Sequence, residues 1–261
     1  MTESIYTDEF HDVMGAAALV SAAEIVPLIL AMTGPLRSVV DLGCGTGAWL
    51  SMFASQGIER ILGMDGDYVD RSQLMIPAES FVPTDLSAPI ALDERFDLAM
   101  SVEVAEHLPP GRAEGFIDDL VRLAPVVMFS AAVPGQRGLG HVNEHWQHYW
   151  SRLFIARGYA PIDVVRRRVW TNPKVSWWYR QNLLVYASRD ALDARPRLTT
   201  ARKRTYDDQI SMVHPIMYYT LHRDYLRLVD EYKKARAEIR RLRPRRILGG
   251  ADSGSGGDDA G

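Results

Sequence analysis

The segment HVNEHWQHYW, residues 141–150, gathers three histidines, a glutamate, an asparagine and three aromatic residues. Imidazoles move protons near neutral pH, a carboxylate can bind a hydroxyl, and aromatic faces stack on flat or C–H-rich surfaces. A second group, Glu103-x-x-Glu106-His107, joins two carboxylates to an imidazole. On a helix, positions i, i+3 and i+4 share one face. That donor set suits a divalent cation with open coordination positions, so Glu103, Glu106 and His107 are candidate metal ligands. His145, His141 and Glu144 are the candidate catalytic residues, a histidine serving as general base. Either histidine could instead complete the metal shell, which would merge the two groups into one site. At the helical spacing of EHWQHYWSRLF, Trp146, Tyr149, Trp150, Leu153 and Phe154 are expected to face a core. His148 is expected at the surface or at a cap. No cysteine accompanies the three histidines, which argues against structural zinc.

These side chains need a scaffold. The chain has 261 residues, 47% apolar and 24% charged, which is the profile of a globular protein able to bury a full core. The net charge of -3 offers no global basic field for nucleic acid or membrane. One cysteine, Cys44, excludes an internal disulfide framework and suits a reducing cytoplasm. The acidic start MTESIYTDEFHD has no basic and apolar leader pattern, so no secretory signal is expected. Residues 14–32 are apolar but contain Glu24 and Pro27, and predict a soluble helix with a break rather than a membrane span.

From residue 38 onward, short apolar runs alternate with helical patterns. VVDLGCGTGAWL reads as strand, glycine turn and helix; ILGMDGD, SFVPTDL and FDLAMSV follow as strands. A helix and strand are read in GFIDDLVRLAPVVMFS, a helix then a strand in WSRLFIARGYAPIDVVRRRVW, and a closing strand in WWYRQNLLVYASR. This alternation predicts a doubly wound, Rossmann-like α/β sheet. Gly43, Gly45 and Gly47 lie in a G-x-G-x-G turn with Asp41 just before it. Position 48 is Ala, where a dinucleotide fingerprint would have its third glycine, so a pyrophosphate cradle is disfavoured. Asp65 ends the next strand, where an acid can take both hydroxyls of a ribose.

At these residues the chain resembles the class I S-adenosylmethionine-dependent methyltransferases over roughly residues 35–190. Asp41 with Gly43, Gly45 and Gly47 matches that family's first motif. Asp65 matches its ribose-binding acid, Asp85 and Leu86 its adenine-contacting pair, and FDLAMSVEVAEHL, which contains Ser101, its fourth-strand motif. The resemblance implies S-adenosyl-L-methionine as cofactor and transfer of its methyl group, an activity of the EC 2.1.1 type. Glu103-x-x-Glu106-His107 is similar to the Mg²⁺-binding triad of quinone-precursor and small-RNA 2′-O-methyltransferases. A similar sequence also occurs in members that need no metal, where the histidine lines the cofactor pocket. The H-x-N-E-x-W pattern resembles methyltransferases of bacterial sugar and polysaccharide pathways. The expected reaction is O-methylation of a hydroxyl on a sugar or saccharide-containing acceptor, with Mg²⁺ assistance left open. A phenolic or amine natural product, an RNA ribose, and a cofactor-binding module without catalysis are the alternatives. Trp177, Trp178 and Tyr179 would wall the acceptor pocket or fill the interface between sheet and helices.

The organisation expected is residues 1–190 as the methyltransferase domain, 191–209 as a polar linker, 210–246 as an amphipathic helical extension and 247–261 as a disordered tail. In the extension, Tyr218, Leu221, Tyr225, Leu228, Tyr232, Ala235, Ile239 and Leu242 alternate at spacings of three and four, which is a heptad seam. It fits either a helix lying on its own domain or a homodimer contact. A small-molecule or saccharide acceptor is expected as the other partner.

Overall fold

The computed structural model describes residues 8–242, with side chains from residue 15 onward. The chain divides into two compact units, Met1–Tyr218 and Tyr219–Gly261. In the first, α1 (Asp8–Thr33), β1 (Ser38–Leu42), α2 (Ala48–Ser55), β2 (Arg60–Asp65), β3 (Phe81–Pro83) and β4 (Leu98–Val102) lead to α3 (Ala113–Leu123) and β5 (Val126–Ser130). Then come α4 (Gln147–Ala156), β6 (Tyr159–Ile162), α5 (Val165–Val169), α6 (Trp177–Asn182), β7 (Leu184–Ser188), α7 (Arg189–Ala194) and α8 (Pro196–Arg202). Helix α9 (Pro215–Leu242) begins at the end of this unit and runs through the described part of the second.

The seven strands form one sheet in the order β3-β2-β1-β4-β5-β7-β6. Only β7 runs antiparallel to its neighbours. Apart from the edge strand β3, where Val82 and Pro83 are exposed, the apolar runs that pattern as strands are buried on both faces, as a sheet with helices on both sides requires. One core, on the side of α1, α2, α5, α6 and α8, contains Ile25, Ile29, Phe53, Met100 and Leu198. The other, on the side of α3 and α4, contains Phe116, Leu120, Phe129, Trp150 and Phe154. The doubly wound α/β expectation therefore holds, with the C-terminal helix present.

Four local expectations are corrected. Helix α1 is continuous through Pro27, which sits on an exposed face. The proline forfeits one backbone bond, while Ala22, Ile25, Val26, Ile29 and Met32 are buried and hold the helix on the core. Its Gly15–Thr33 stretch is the one described helix long and apolar enough to cross a membrane. The expected strands are present as β6 and β7, but they are shorter than the stretches that predict them, since VRRRV and WWYRQN are helical. Arg166 is fully buried in a two-point pair with Asp163, at 2.7 and 2.8 Å, and donates to the Gln181 carbonyl at 2.8 Å. Asp163 lies between the end of β6 and the start of α5, so this pair ties the first turn of α5 to the loop that precedes it.

Residues 191–209 are not a linker. They form most of α7, all of α8 and a short turn at Asp207–Gln209, and the compact unit extends to Tyr218. Ala191, Leu198 and Ala201 are buried, whereas the arginines and aspartates that make the segment look polar lie mostly on its outer face. The expected tail, residues 247–261, lies outside the described residues. A Leu198→Ala substitution should lower unfolding free energy by roughly 2–4 kcal/mol, read as a shifted urea midpoint. A midpoint equal to that of the wild type would mean that the segment does behave as a linker.

Candidate active site

In an open α/β sheet, a ligand cleft forms beyond the carboxyl ends of the strands, where the strand order reverses. Here the reversal lies between β1 and β4. A cavity of about 500 Å³ opens at that point, lined by the loops after β1, β2, β3 and β4. Gly43, Gly45, Asp65, Asp85 and Leu86 all line it.

The glycine turn is shaped by what surrounds it. Gly43 has φ 92°, and a Cβ there would come within 2.3 Å of the Val104 side chain. Gly47 caps α2 with φ 84°, and a Cβ there would meet Ile76 at 2.9 Å. Both positions therefore require glycine for conformation and for space. Asp65 ties this turn to the next loop. Its carboxylate accepts from the Gly45 amide at 2.7 Å, the Gly66 amide at 2.7 Å and the Tyr68 hydroxyl at 2.5 Å. Tyr68 is 73% exposed and lines the same cavity. Asp85 accepts from the Ser87 hydroxyl and amide, and these bonds hold its carboxyl below the usual range. Asp41 and Ser101 are buried and do not line the cavity, yet each has a side-chain oxygen without a hydrogen-bond partner. Burial, with the nearby Asp65 charge, pushes the Asp41 carboxyl well above the usual carboxylate range.

Glu103 and His107 line the cavity wall on the β4 side. Glu103, Glu106 and His107 do not share a helix face. Glu103 follows β4 with φ 57°, and Ala105–His107 is a single 3₁₀ turn. The Glu103 carboxylate is held by amides: Gln136 donates at 2.7 Å and Asn182 at 3.1 Å. It stands apart from the ligand group that does assemble, which is Glu106, His107 and His141, with donor atoms all within 4.8 Å of one another. Glu106 is 1% exposed, and both of its carboxylate oxygens lack a hydrogen-bond partner, as does His107 Nδ1. Burial, reinforced by Glu103, raises the Glu106 carboxyl well above its usual range. Buried oxygens and a ring nitrogen without donors, on one carboxylate and one of two neighbouring imidazoles, fit a divalent cation.

The 141–145 segment reaches this place because its backbone is anchored to the same turn. The Val142 and Asn143 amides donate to the Glu106 carbonyl at 2.9 and 3.0 Å, and the Asn143 side chain donates to the Ala105 carbonyl. The His141 ring meets His107 edge-on at 4.8 Å between centroids. Its Nδ1 lies 2.8 Å from Glu144, which also accepts from the Gly135 amide. A carboxylate at Nδ1 fixes the ring and leaves Nε2 as the working nitrogen.

His145 is elsewhere. It stacks on Tyr149 at 3.8 Å and meets Trp150 edge-on at 5.7 Å, and burial lowers its pKa. His148 binds Ser211 at the surface. Trp150 and Phe154 are buried as expected, but Trp146 is 38% exposed. Tyr179 is buried against Trp49, with Trp178 packed beside it, and none of Trp177, Trp178 and Tyr179 lines the cleft. Sequence reasoning missed Tyr68, Gln136, Asn182 and Gly138. A Cβ on Gly138 would fall 2.0 Å from His141 Nε2, so the QRGLG loop could have been read as space for a ring.

Residues 17–164 match a family described as a methyltransferase domain. No curated protein matches the chain. Among solved structures, the chain is similar to an O-methyltransferase family protein from Burkholderia thailandensis, with a TM-score of 0.54 and 14% identity over 70% of this chain and 60% of that one. It is also similar to human N-acetylserotonin methyltransferase, solved with S-adenosylmethionine, with a TM-score of 0.50 and 12% identity over 69% of this chain and 55% of that one. The chain thus spans less than two thirds of either protein's length.

The Asp41 carboxyl gives a pH test. Its folded pKa is raised, so its contribution to stability is full at low pH and is lost as pH rises through the folded value. Asp41→Asn should therefore raise the melting temperature of the ligand-free protein at about pH 8, with the gain shrinking towards about pH 4. A gain that does not change with pH would show that Asp41 does not titrate in this way.

Proposed function

We propose that this chain, which belongs to the methyltransferase domain family, transfers a methyl group from S-adenosylmethionine to a hydroxyl of a sugar or saccharide-containing acceptor. The observation that carries this reading is the continuity of the cleft with a polar proton-handling group. His107 belongs both to the cavity wall and to the cluster with Glu106 and His141.

S-adenosylmethionine, when bound, supplies an electrophilic methyl group on sulfur. In this reading Asp65 takes the ribose hydroxyls, one of which replaces the exposed Tyr68 hydroxyl. Asp85 and Leu86 border the adenine, and the glycine turn lets the methionine portion approach the backbone. A sugar hydroxyl holds its proton tightly, so it needs a base or a cation beside it. His141, oriented by Glu144, is the proposed base. Glu106, His107 and His141 are the proposed holders of a divalent cation, which would lower the pKa of a bound hydroxyl. Two imidazoles and one carboxylate favour an ion that takes nitrogen readily, such as Fe²⁺ or Co²⁺, over Mg²⁺, which prefers oxygen. With a cation bound, His141 acts as a ligand; without one, it is free to take the proton. His145, engaged by Tyr149, is not needed in either version.

An RNA ribose offers the same hydroxyl chemistry, but the net charge of -3 gives no support for a polyanion. The reading further takes a second copy of the chain as partner, through the C-terminal helix, and the cytoplasm as its location, in keeping with its single buried cysteine.

Calorimetry with S-adenosylhomocysteine should show binding that Asp65→Ala weakens at least about tenfold, an energy of roughly 1.4 kcal/mol. Absence of binding to the wild type would end the cofactor assignment. In a screen of sugar acceptors followed by methyl mass shift, His141→Ala should reduce turnover about a hundredfold or more, and His145→Ala only a few-fold. Comparable losses in both would overturn the assignment of His141. Chelation should abolish turnover, and Co²⁺ or Fe²⁺ should restore it better than Mg²⁺; activity unchanged by chelator would leave His141 as a base without metal.

A further inference from the structure

We infer that the seam of α9 pairs with the same seam on a second copy in parallel, as a short two-stranded coil whose direction is set by its flanking charges. This rests on the homodimer proposed above; the orientation, the register and the pairing residues go beyond it. Along α9, Leu221, Leu228, Ala235 and Leu242 alternate with Tyr225, Tyr232 and Ile239. Tyr225, Leu228, Tyr232, Ile239 and Leu242 are between 60 and 69% exposed. Leu226 and Tyr219 are exposed off the stripe as well, but the stripe is the one apolar pattern that runs the length of the helix, and such a pattern favours a partner. Three heptads are marginal for an isolated helix, and leucine at the second seam position suits two strands.

The flanks decide the direction. Just before the tyrosine and isoleucine positions lie Asp224, Glu231 and Glu238; just after Leu228 and Ala235 lie Val229 and Arg236. In a parallel pair, each acidic flank meets the opposite flank of the next heptad on the other helix. Glu231 of one copy then faces Arg236 of the other, twice over by symmetry. In an antiparallel pair, like flanks meet, which sets acid against acid along one side of the seam. Among the described residues, neither Glu238 nor Arg236 has an ion-pair partner within the helix. Lys234–Asp230, at 2.8 Å, lies away from the seam, and Glu231 is reached within its own helix by Arg227 at 3.9 Å, a long and exposed contact that Arg236 of a second copy would have to share or replace.

The full chain is tested by light scattering at micromolar concentration, alongside Leu228→Glu, Glu231→Lys, Arg236→Glu and Ala235→Cys. Circular dichroism checks that each is folded. A dimeric wild type, a monomeric Leu228→Glu, weakened dimers in each charge variant and a dimer regained on mixing the two support the proposal. Ala235→Cys should cross-link on oxidation, because parallel helices bring this position against itself. The native Cys44 is buried and does not compete. A monomeric wild type, or a dimer that survives Leu228→Glu, overturns the homodimer reading and the inference with it. A dimer that is lost in Leu228→Glu, but is indifferent to charge reversal and gives no cross-link in Ala235→Cys, overturns the parallel arrangement alone. Neither result bears on S-adenosylhomocysteine binding or on turnover, so the methyltransferase reading is judged separately.

Discussion

Between β1 and β4 the chain leaves the sheet in opposite directions, towards α2 on one face and towards α3 on the other. Two neighbouring parallel strands cannot send their connections to opposite faces without opening a gap above their ends. The cofactor and proton-handling groups proposed for this protein sit in or beside that gap. The glycine turn lies on the β1 side, and the Glu103–His107 turn lies on the β4 side. Their closest approach, where Gly43 faces Val104, leaves no room for a Cβ and therefore fixes the width of the floor.

On the β4 side, the backbone accomplishes what side-chain motifs only suggest. Glu103 takes a left-handed conformation that an ordinary residue adopts at a cost of about 1–3 kcal/mol. Its amide donates to the Ser130 carbonyl, and its carboxylate is gripped by Gln136 and Asn182. The bend turns the chain sharply enough for Glu106 to go inward. The carbonyl of Glu106 then receives two amides from the 141–145 segment, some 36 residues later in the chain by the Val142 contact (142 − 106). The catalytic proposal thus depends on main-chain bonds as much as on the imidazoles they bring together.

Much of this was legible in the sequence because it depends on local pattern. Alternating apolar runs located the strands, and the glycines and Asp65 located the cleft. What was illegible depended on long-range partners. Helical spacing made Glu103, Glu106 and His107 look like one face, but a 3₁₀ turn after a left-handed residue has no such face. His141 and His145 were equivalent by composition; only the bonds to Glu106 and the ring of Tyr149 separate them. Residues 191–209 looked like a linker because the few apolar side chains that dock them, Leu198 foremost, are spread among arginines and other polar residues.

The hydroxyl that Tyr68 offers to Asp65 bears on which ligands the cleft would accept. A carboxylate already satisfied by a tyrosine and two amides gains little from a ligand that merely touches it. A ribose presenting two hydroxyls exchanges one bond for two, whereas a deoxy sugar with one exchanges like for like and must still displace an aromatic ring. Discrimination against deoxyribonucleosides would then arise before any contact with the base, from a side chain that competes with the ligand rather than from one that grips it.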